Sequence, residues 1–154
     1  MCILGIDPGL ATTGWAVVEF NKDGKPTPID YGAITTPKEM ETSQRLVEIY
    51  EDMKELVGKF NPDSAGIETL IFCKNITSGM FVAEARGIVR LVLEQNSIPI
   101  KEFTPLQVKS AVTGYGKAGK KQVQESVKRL CNLDDIPKPD DAADAIAVAI
   151  AAYV

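Results

Sequence analysis

Cys2-Ile3-Leu4-Gly5-Ile6-Asp7-Pro8-Gly9 decides the architecture. A short unbroken apolar run suits a strand buried on both faces, and such strands sit in the middle of α/β sheets. The run closes on one acid, Asp7, and Pro8-Gly9 then turns the chain. Outward from it, Gly14-Trp15-Ala16-Val17-Val18-Glu19-Phe20 predicts a second strand and Asn21-Lys22-Asp23-Gly24-Lys25-Pro26 a turn. Ile29 to Thr35 predicts a third strand, which makes an antiparallel meander.

From Glu41 to Phe60 the residues Leu46, Ile49, Tyr50, Met53, Leu56, Val57 and Phe60 recur at helical spacing, and Asn61-Pro62 ends the run. Ser64 to Leu70 reads as a fourth strand. Ile76 to Glu94 reads as a second long helix, with Met80, Phe81, Ile88, Val89, Val92 and Leu93 as its buried stripe. Ile98 to Phe103 is a fifth strand, and Thr104-Pro105 starts a helix that fades by Gly114. Further helices run from Lys120 to Leu130 and from Asp141 to Tyr153, the last so rich in Ala, Ile and Val that it must be largely buried. The order β-β-β-α-β-α-β-α-α-α predicts an α/β fold: a five-stranded mixed sheet with helices on both faces.

The length of 154 residues fits one domain over 1–154, and no internal repeat or linker divides it. No apolar run approaches the roughly 20 residues of a membrane span, and Met1 leads into the first strand without a basic leader, so no membrane partner is expected. Cys2, Cys73 and Cys131 are odd in number and lack CxxC spacing, which points to a reducing cytoplasmic compartment without structural zinc. The absence of histidine removes His-based triads, His metal ligands and imidazole bases. The net charge of −4, from 17 Lys plus Arg against 21 Asp plus Glu, speaks by itself against a nucleic-acid partner.

Four acids carry the chemistry. Asp7 ends a buried strand, where a carboxylate is costly unless paired or metal-bound, though an Asp there also organises turns. Glu68 follows Ala65-Gly66-Ile67 at another strand end, where a merely exposed Glu is the more ordinary reading of that residue alone. Asp141 and Asp144 stand three apart on one face of a helix, in its first turn, where the dipole favours negative charge and acids are common. Ala142, Ala143, Ala145 and Ala147 would let that helix lie close to the sheet, bringing both acids toward the strand ends, with Asp140 as the capping residue. Four carboxylates without His or Cys ligands make a hard oxygen site for Mg²⁺, with Mn²⁺ as substitute. With two such ions it becomes a clamp for phosphoryl transfer that needs no histidine.

Charge is distributed to match. Residues 101–130 hold Lys101, Lys109, Lys117, Lys120, Lys121, Lys128 and Arg129 against Glu102 and Glu125, and an acidic segment follows. Such runs are often solvated surfaces. Beside an acidic metal site, however, a basic run can hold a phosphodiester. Gly114-Tyr115-Gly116-Lys117-Ala118-Gly119-Lys120-Lys121 approaches a nucleotide P-loop, but Lys121 stands where Ser or Thr must reach Mg²⁺ and a helix precedes it. It reads as a basic loop tracking a DNA backbone.

Together these stretches resemble the RuvC-type Holliday junction resolvases of the ribonuclease H-like superfamily. The resemblance is carried by Gly5-Ile6-Asp7-Pro8-Gly9 with Thr13-Gly14-Trp15, Ile67-Glu68, Ala83-Glu84-Ala85-Arg86-Gly87, Gln107 through Gly114, Lys120 through Val123, and Asp141-Ala142-Ala143-Asp144-Ala145. It implies a ribonuclease H-like fold and a homodimeric, Mg²⁺-dependent endonuclease. Such an enzyme cuts four-way DNA junctions by paired symmetric nicks in recombination and repair. Asp7, Glu68, Asp141 and Asp144 then resemble the metal ligands, and Lys109 and Lys120 the basic residues near the scissile phosphate. Lys117 and Lys121 belong to the same DNA-binding stretch.

The family often places an aromatic three residues after the Glu to stack at the opened junction core. Here Ile71 holds that position and Phe72 follows, either as a shifted substitute or as core. The second helix, with Met80 and Phe81, is by analogy the dimer surface, against plain core packing. A branch-migration motor complex joins the partners that the resemblance suggests. Two other classes compete. A non-catalytic junction-binding module predicts a broken acidic set, and an actin-like phosphotransferase fragment needs a second lobe to close over ATP.

Overall fold

Strand pairing follows from the apolar runs and places the first of them at the centre. The computed structural model describes residues 1–69 and 75–154. Among these residues five strands, β1 (Cys2–Asp7), β2 (Thr12–Phe20), β3 (Pro26–Thr35), β4 (Ser64–Glu68) and β5 (Ile100–Phe103), form one sheet in the order β3-β2-β1-β4-β5. β1 pairs antiparallel with β2 and parallel with β4, and β4 pairs parallel with β5. The sheet is therefore mixed, as predicted. β3 begins at Pro26 and includes Pro28, both tolerated because β3 is an edge strand, and its pairing shifts register at Val17/Val18.

Helices cover both faces. α1 (Thr42–Phe60) and α2 (Ile76–Gln95) pack Ile49, Met53, Val57, Ala85, Val89, Val92 and Leu93 against Leu4, Ile6, Val17 and Ile67. α3 (Pro105–Thr113), α4 (Lys120–Leu130) and α5 (Asp140–Tyr153) build the other core with Ile3, Ala16, Val18 and Phe20. Alternate residues of one strand thus enter opposite cores, the period-two geometry of a strand buried on both faces. α1 ends where Asn61 turns left-handed, at φ 44°, and donates its N–H to Val57 O. α3 starts with a full capping box: Gln107 N donates to Thr104 Oγ1 at 3.2 Å and Thr104 N to Gln107 Oε1 at 2.8 Å.

Two expectations change. The stripe assigned to α2 is only half core: Val89, Val92 and Leu93 are buried, but Met80 and Phe81 are exposed. Both sit in the first turns of α2, toward its N-terminal end, while its buried apolar residues lie further along. Asp140 does not cap α5. Pro139 is the N-cap, Asp140 is the first helical residue, and its carboxylate instead pairs with Lys120 Nζ at 3.3 Å.

α5 lies unusually near the sheet. A Cβ added at Gly5 would collide with the backbone of Ala145 and come within 2.9 Å of Ala149 Cβ. At Gly66, which pairs with Gly5, it would reach Ala152 Cβ at 2.9 Å, and at Gly14 it would enter the backbone of Asp141. Three glycines on three adjacent strands and an alanine face on the helix remove the side chains that normally separate the layers.

Candidate active site

Asp7 and Glu68 are the last residues of two parallel neighbouring strands, so both stand at one edge of the sheet. Glycines at positions 5 and 14 let the start of α5 descend onto that edge, and its first two turns bring Asp141 and Asp144. One carboxylate oxygen each from Asp7, Asp141 and Asp144 lie within 4.8 Å of one another, and all three residues are half-buried. Glu68 joins the group from the neighbouring strand end: its charge helps raise the Asp7 carboxyl, and it lines a cleft with Asp144. The four acids separated by up to 137 positions therefore meet, three as a tight cluster and Glu68 beside it.

The turn after Asp7 is tied back on itself. Thr13, wholly buried, donates its hydroxyl to Gly9 O at 2.6 Å and accepts from Gly9 N at 3.3 Å. Gly14 pairs directly with Asp7 across the strands. This latch fixes where β1 stops and hence where the Asp7 carboxyl points.

Burial and mutual repulsion perturb the cluster. Burial, then the charges of Glu68 and Asp144, push the Asp7 carboxyl up to about 8. Burial also raises Glu68 and Asp144, and Lys109 opposes both shifts. Lys120 opposes that of Asp144 more strongly than Lys109 does, and its own ammonium is raised chiefly by Asp144.

Lys109, half-buried on α3, and Lys120, the first residue of α4, line a cleft of about 270 Å³ with Glu68, Asp144, Pro105 and Val108. Two cations and two acids thus share one wall-to-wall opening. Lys117 and Lys121 are exposed outside that lining, Lys117 in the α3–α4 turn and Lys121 in the first turn of α4. The glycine-rich stretch is a short turn with Gly114 as the left-handed cap of α3, at φ 78°, and Gly119 as the cap of α4. Phe72, the proposed stacking residue, lies outside the described residues.

Sequence reasoning missed two supports. Arg86 and Arg90 of α2 both reach Glu102 of β5, tying that helix to the sheet. Arg45 and Thr36 brace the β1–β2 turn. Neither pairing has a local spacing signature, because each bridges two different elements and depends on how they pack together.

The family model described as crossover junction endodeoxyribonuclease RuvC matches residues 3–152. The chain belongs to the RuvC family. It is 50% identical over 150 residues to the RuvC crossover junction endodeoxyribonuclease of Halothermothrix orenii, covering 97% of this chain and 90% of that one. To the enzyme of Chloroflexus aurantiacus it is 49% identical, covering 97% and 91%. The structure of Thermus thermophilus RuvC in complex with Holliday junction substrate superposes with a TM-score of 0.93 at 28% identity, covering 98% of this chain and 92% of that one. The yeast mitochondrial Holliday junction resolvase shares the fold, with a TM-score of 0.70 at 16% identity over 98% of this chain and 78% of that one. This RuvC-family chain therefore has the ribonuclease H-like architecture, and its acids lie at the carboxyl edge of that sheet.

Proposed function

We propose that this chain is a structure-selective endonuclease that resolves four-way DNA junctions by paired symmetric nicks. The observation that carries the reading is the meeting of Asp7, Asp141 and Asp144 at one strand edge, beside Glu68, Lys109 and Lys120, in a RuvC-family chain. The reaction is phosphodiester hydrolysis. Water attacks phosphorus, the bond to the 3′ oxygen breaks, and a 5′-phosphate and a 3′-hydroxyl result.

Asp7, Glu68, Asp141 and Asp144 would hold divalent ions. The donor set is all oxygen, and the crowding of carboxylates that helps push the Asp7 carboxyl up to about 8 is a repulsion that divalent cations would relieve. Mg²⁺ suits that set, two per site, and Mn²⁺ can replace it. Bound there, the ions would supply Lewis acidity toward the phosphate and acidify the attacking water. The chain's own cations do the rest. Lys109 and Lys120 hold the phosphodiester in the cleft and offset charge developing on it. Asp140 orients Lys120 from outside the cluster. Lys117 and Lys121 extend the positive surface along the strand.

A homodimer matches the two-fold character of a junction and of paired nicks. The apolar residues left in solvent on α2, Ile76 (71% exposed), Met80 (59%) and Leu91 (47%), are the surface we assign to it. No helix among the described residues is long and apolar enough to cross a membrane, and action on DNA in the cytoplasm accords with the free thiols of Cys2 and Cys131. The deciding experiment is incubation with a synthetic four-way junction in Mg²⁺. Symmetric nicks bearing 5′-phosphates are expected; their absence across varied core sequences overturns the proposal.

A further inference from the structure

The turn following Asp7 has a second neighbour that the acid site does not use. Arg45, half-buried on α1, donates from Nε to Thr36 Oγ1 at 2.8 Å and from Nη2 to Thr36 O at 3.3 Å. Thr36 is buried just beyond β3. Its hydroxyl donates to Leu10 O at 2.6 Å and its N–H to Ala11 O at 3.0 Å. The guanidinium is thereby fixed in place while most of its five N–H donors remain available. Among the described residues no ion pair involves Arg45.

The guanidinium borders a cleft of about 360 Å³ whose described walls are the turn Gly9–Thr12 with Ser78, Phe81 and Val82. These walls carry one cation, the hydroxyls of Thr12 and Ser78, and no carboxylate. An oriented guanidinium beside hydroxyls is matched to a phosphate, which accepts hydrogen bonds and carries negative charge. A cation would be repelled, and an apolar ligand would leave the donors unpaired.

Position sharpens the assignment. α1 and α2 cover one face of the sheet, and α3, α4 and α5 the other. Lys109 and Lys120 approach the acids from the second face, whereas Arg45 flanks the turn after Asp7 from the first. A strand crossing the sheet edge with its scissile phosphate at the acids has a phosphate on each side of it. We propose that Arg45 binds one of these, a backbone phosphate flanking the cleavage point on the α1 side. The proposal rests on the junction-cleaving reading above.

The test uses the full chain and synthetic four-way junctions carrying single methylphosphonates at successive positions around the nick. Binding is followed by anisotropy over a salt series in EDTA, so that no cutting intervenes. For the wild type, neutralising one flanking phosphate should weaken binding about tenfold. Arg45→Ala should lose affinity for the unmodified junction by a similar factor, lower the salt slope by about 1, and show no further loss on that methylphosphonate. Arg45→Gln, which keeps an amide toward Thr36, should behave alike and serves if the alanine variant does not fold. Thr36→Val removes the latch but keeps the cation, and should retain slope and methylphosphonate sensitivity. An Arg45→Gln protein with wild-type slope and wild-type sensitivity overturns the proposal and reduces Arg45 to a brace for the turn. A wild type that binds but never nicks in Mg²⁺ overturns the resolvase reading while the binding comparison still judges Arg45. A wild type that does not bind the junction overturns both.

Discussion

At Asp7 one carboxyl records the conflict that the site is built around. Its position at a strand end was readable from Gly5-Ile6-Asp7-Pro8-Gly9, but its displacement up to about 8 comes first from its burial and then from Glu68 and Asp144 beside it. That displacement has a signed consequence for stability. Below the ordinary carboxylate range the folded and unfolded chains both hold the proton, and Asp7 contributes nothing. Between about 4 and 8 only the folded chain holds it, so the stability of the metal-free protein falls as pH rises, and above 8 the full penalty persists. Asp7→Asn should therefore match the wild type in EDTA near pH 4 and exceed it by on the order of 2 kcal/mol near pH 8, a value reduced by solvent screening in the open cleft. Urea unfolding at both pH values measures this, and added Mg²⁺ should close the gap by stabilising only the wild type. The same variant should bind junctions yet cut at least 10²-fold more slowly in a gel assay; retained cutting would remove Asp7 from the machinery. Lys120 offers a milder case. Lys120→Ala should slow cutting about 10-fold or more with the chain still folded, because an exposed helix start loses little stability, whereas Lys121→Ala should chiefly weaken binding.

At the scale of elements, α5 and the three central strands form the unit that assembles the acids. The alanine face of α5 announced close packing, but the glycines it meets, Gly5, Gly14 and Gly66, had no distinguishing feature in a linear reading. Their role is created by register: Gly5 pairs with Gly66, and Gly14 with Asp7. Gly66→Val should lower the denaturation midpoint by an amount corresponding to about 1–3 kcal/mol, because the added carbons force α5 outward. It should also lose cutting beyond the loss of folded protein, since Asp141 and Asp144 retreat with the helix. Full activity per folded molecule would show that the acids tolerate the displacement. Helix ends were less legible than helix existence. Thr104-Pro105 was a sound start because the capping box is local, whereas Asp140 was misassigned because the choice between capping α5 and pairing with Lys120 depends on where α4 begins.

For the whole molecule, the net charge of −4 first argued against DNA, and its distribution reversed that reading. Setting aside the four clustered acids leaves 17 residues of each sign, with basic residues 101–130 beside the cleft. Oligomeric state belongs to this scale as well. Met80 and Phe81 were expected in the stripe that α2 buries, and their exposure fits the alternative that the same sequence allowed, a surface for a second copy. Met80→Asp with Leu91→Asp should give a monomer by sedimentation velocity without unfolding the chain, and should convert paired nicks into single ones; a dimer that survives both charges would place the interface elsewhere. The sequence by itself determined the strands and helices and the sheet class, and it singled out the four acids as candidates, because hydrophobic period and strand-end or helix-start chemistry are local properties of a chain. Tertiary structure alone decided which acids lie within 4.8 Å, how far Asp7 is driven from its usual protonation, and that Lys109 and Lys120 face the acids while Lys117 and Lys121 do not. Those are distances between elements, set by strand register and by how closely a helix can approach a sheet, and electrostatic energy depends on distance through space and not on separation along the chain.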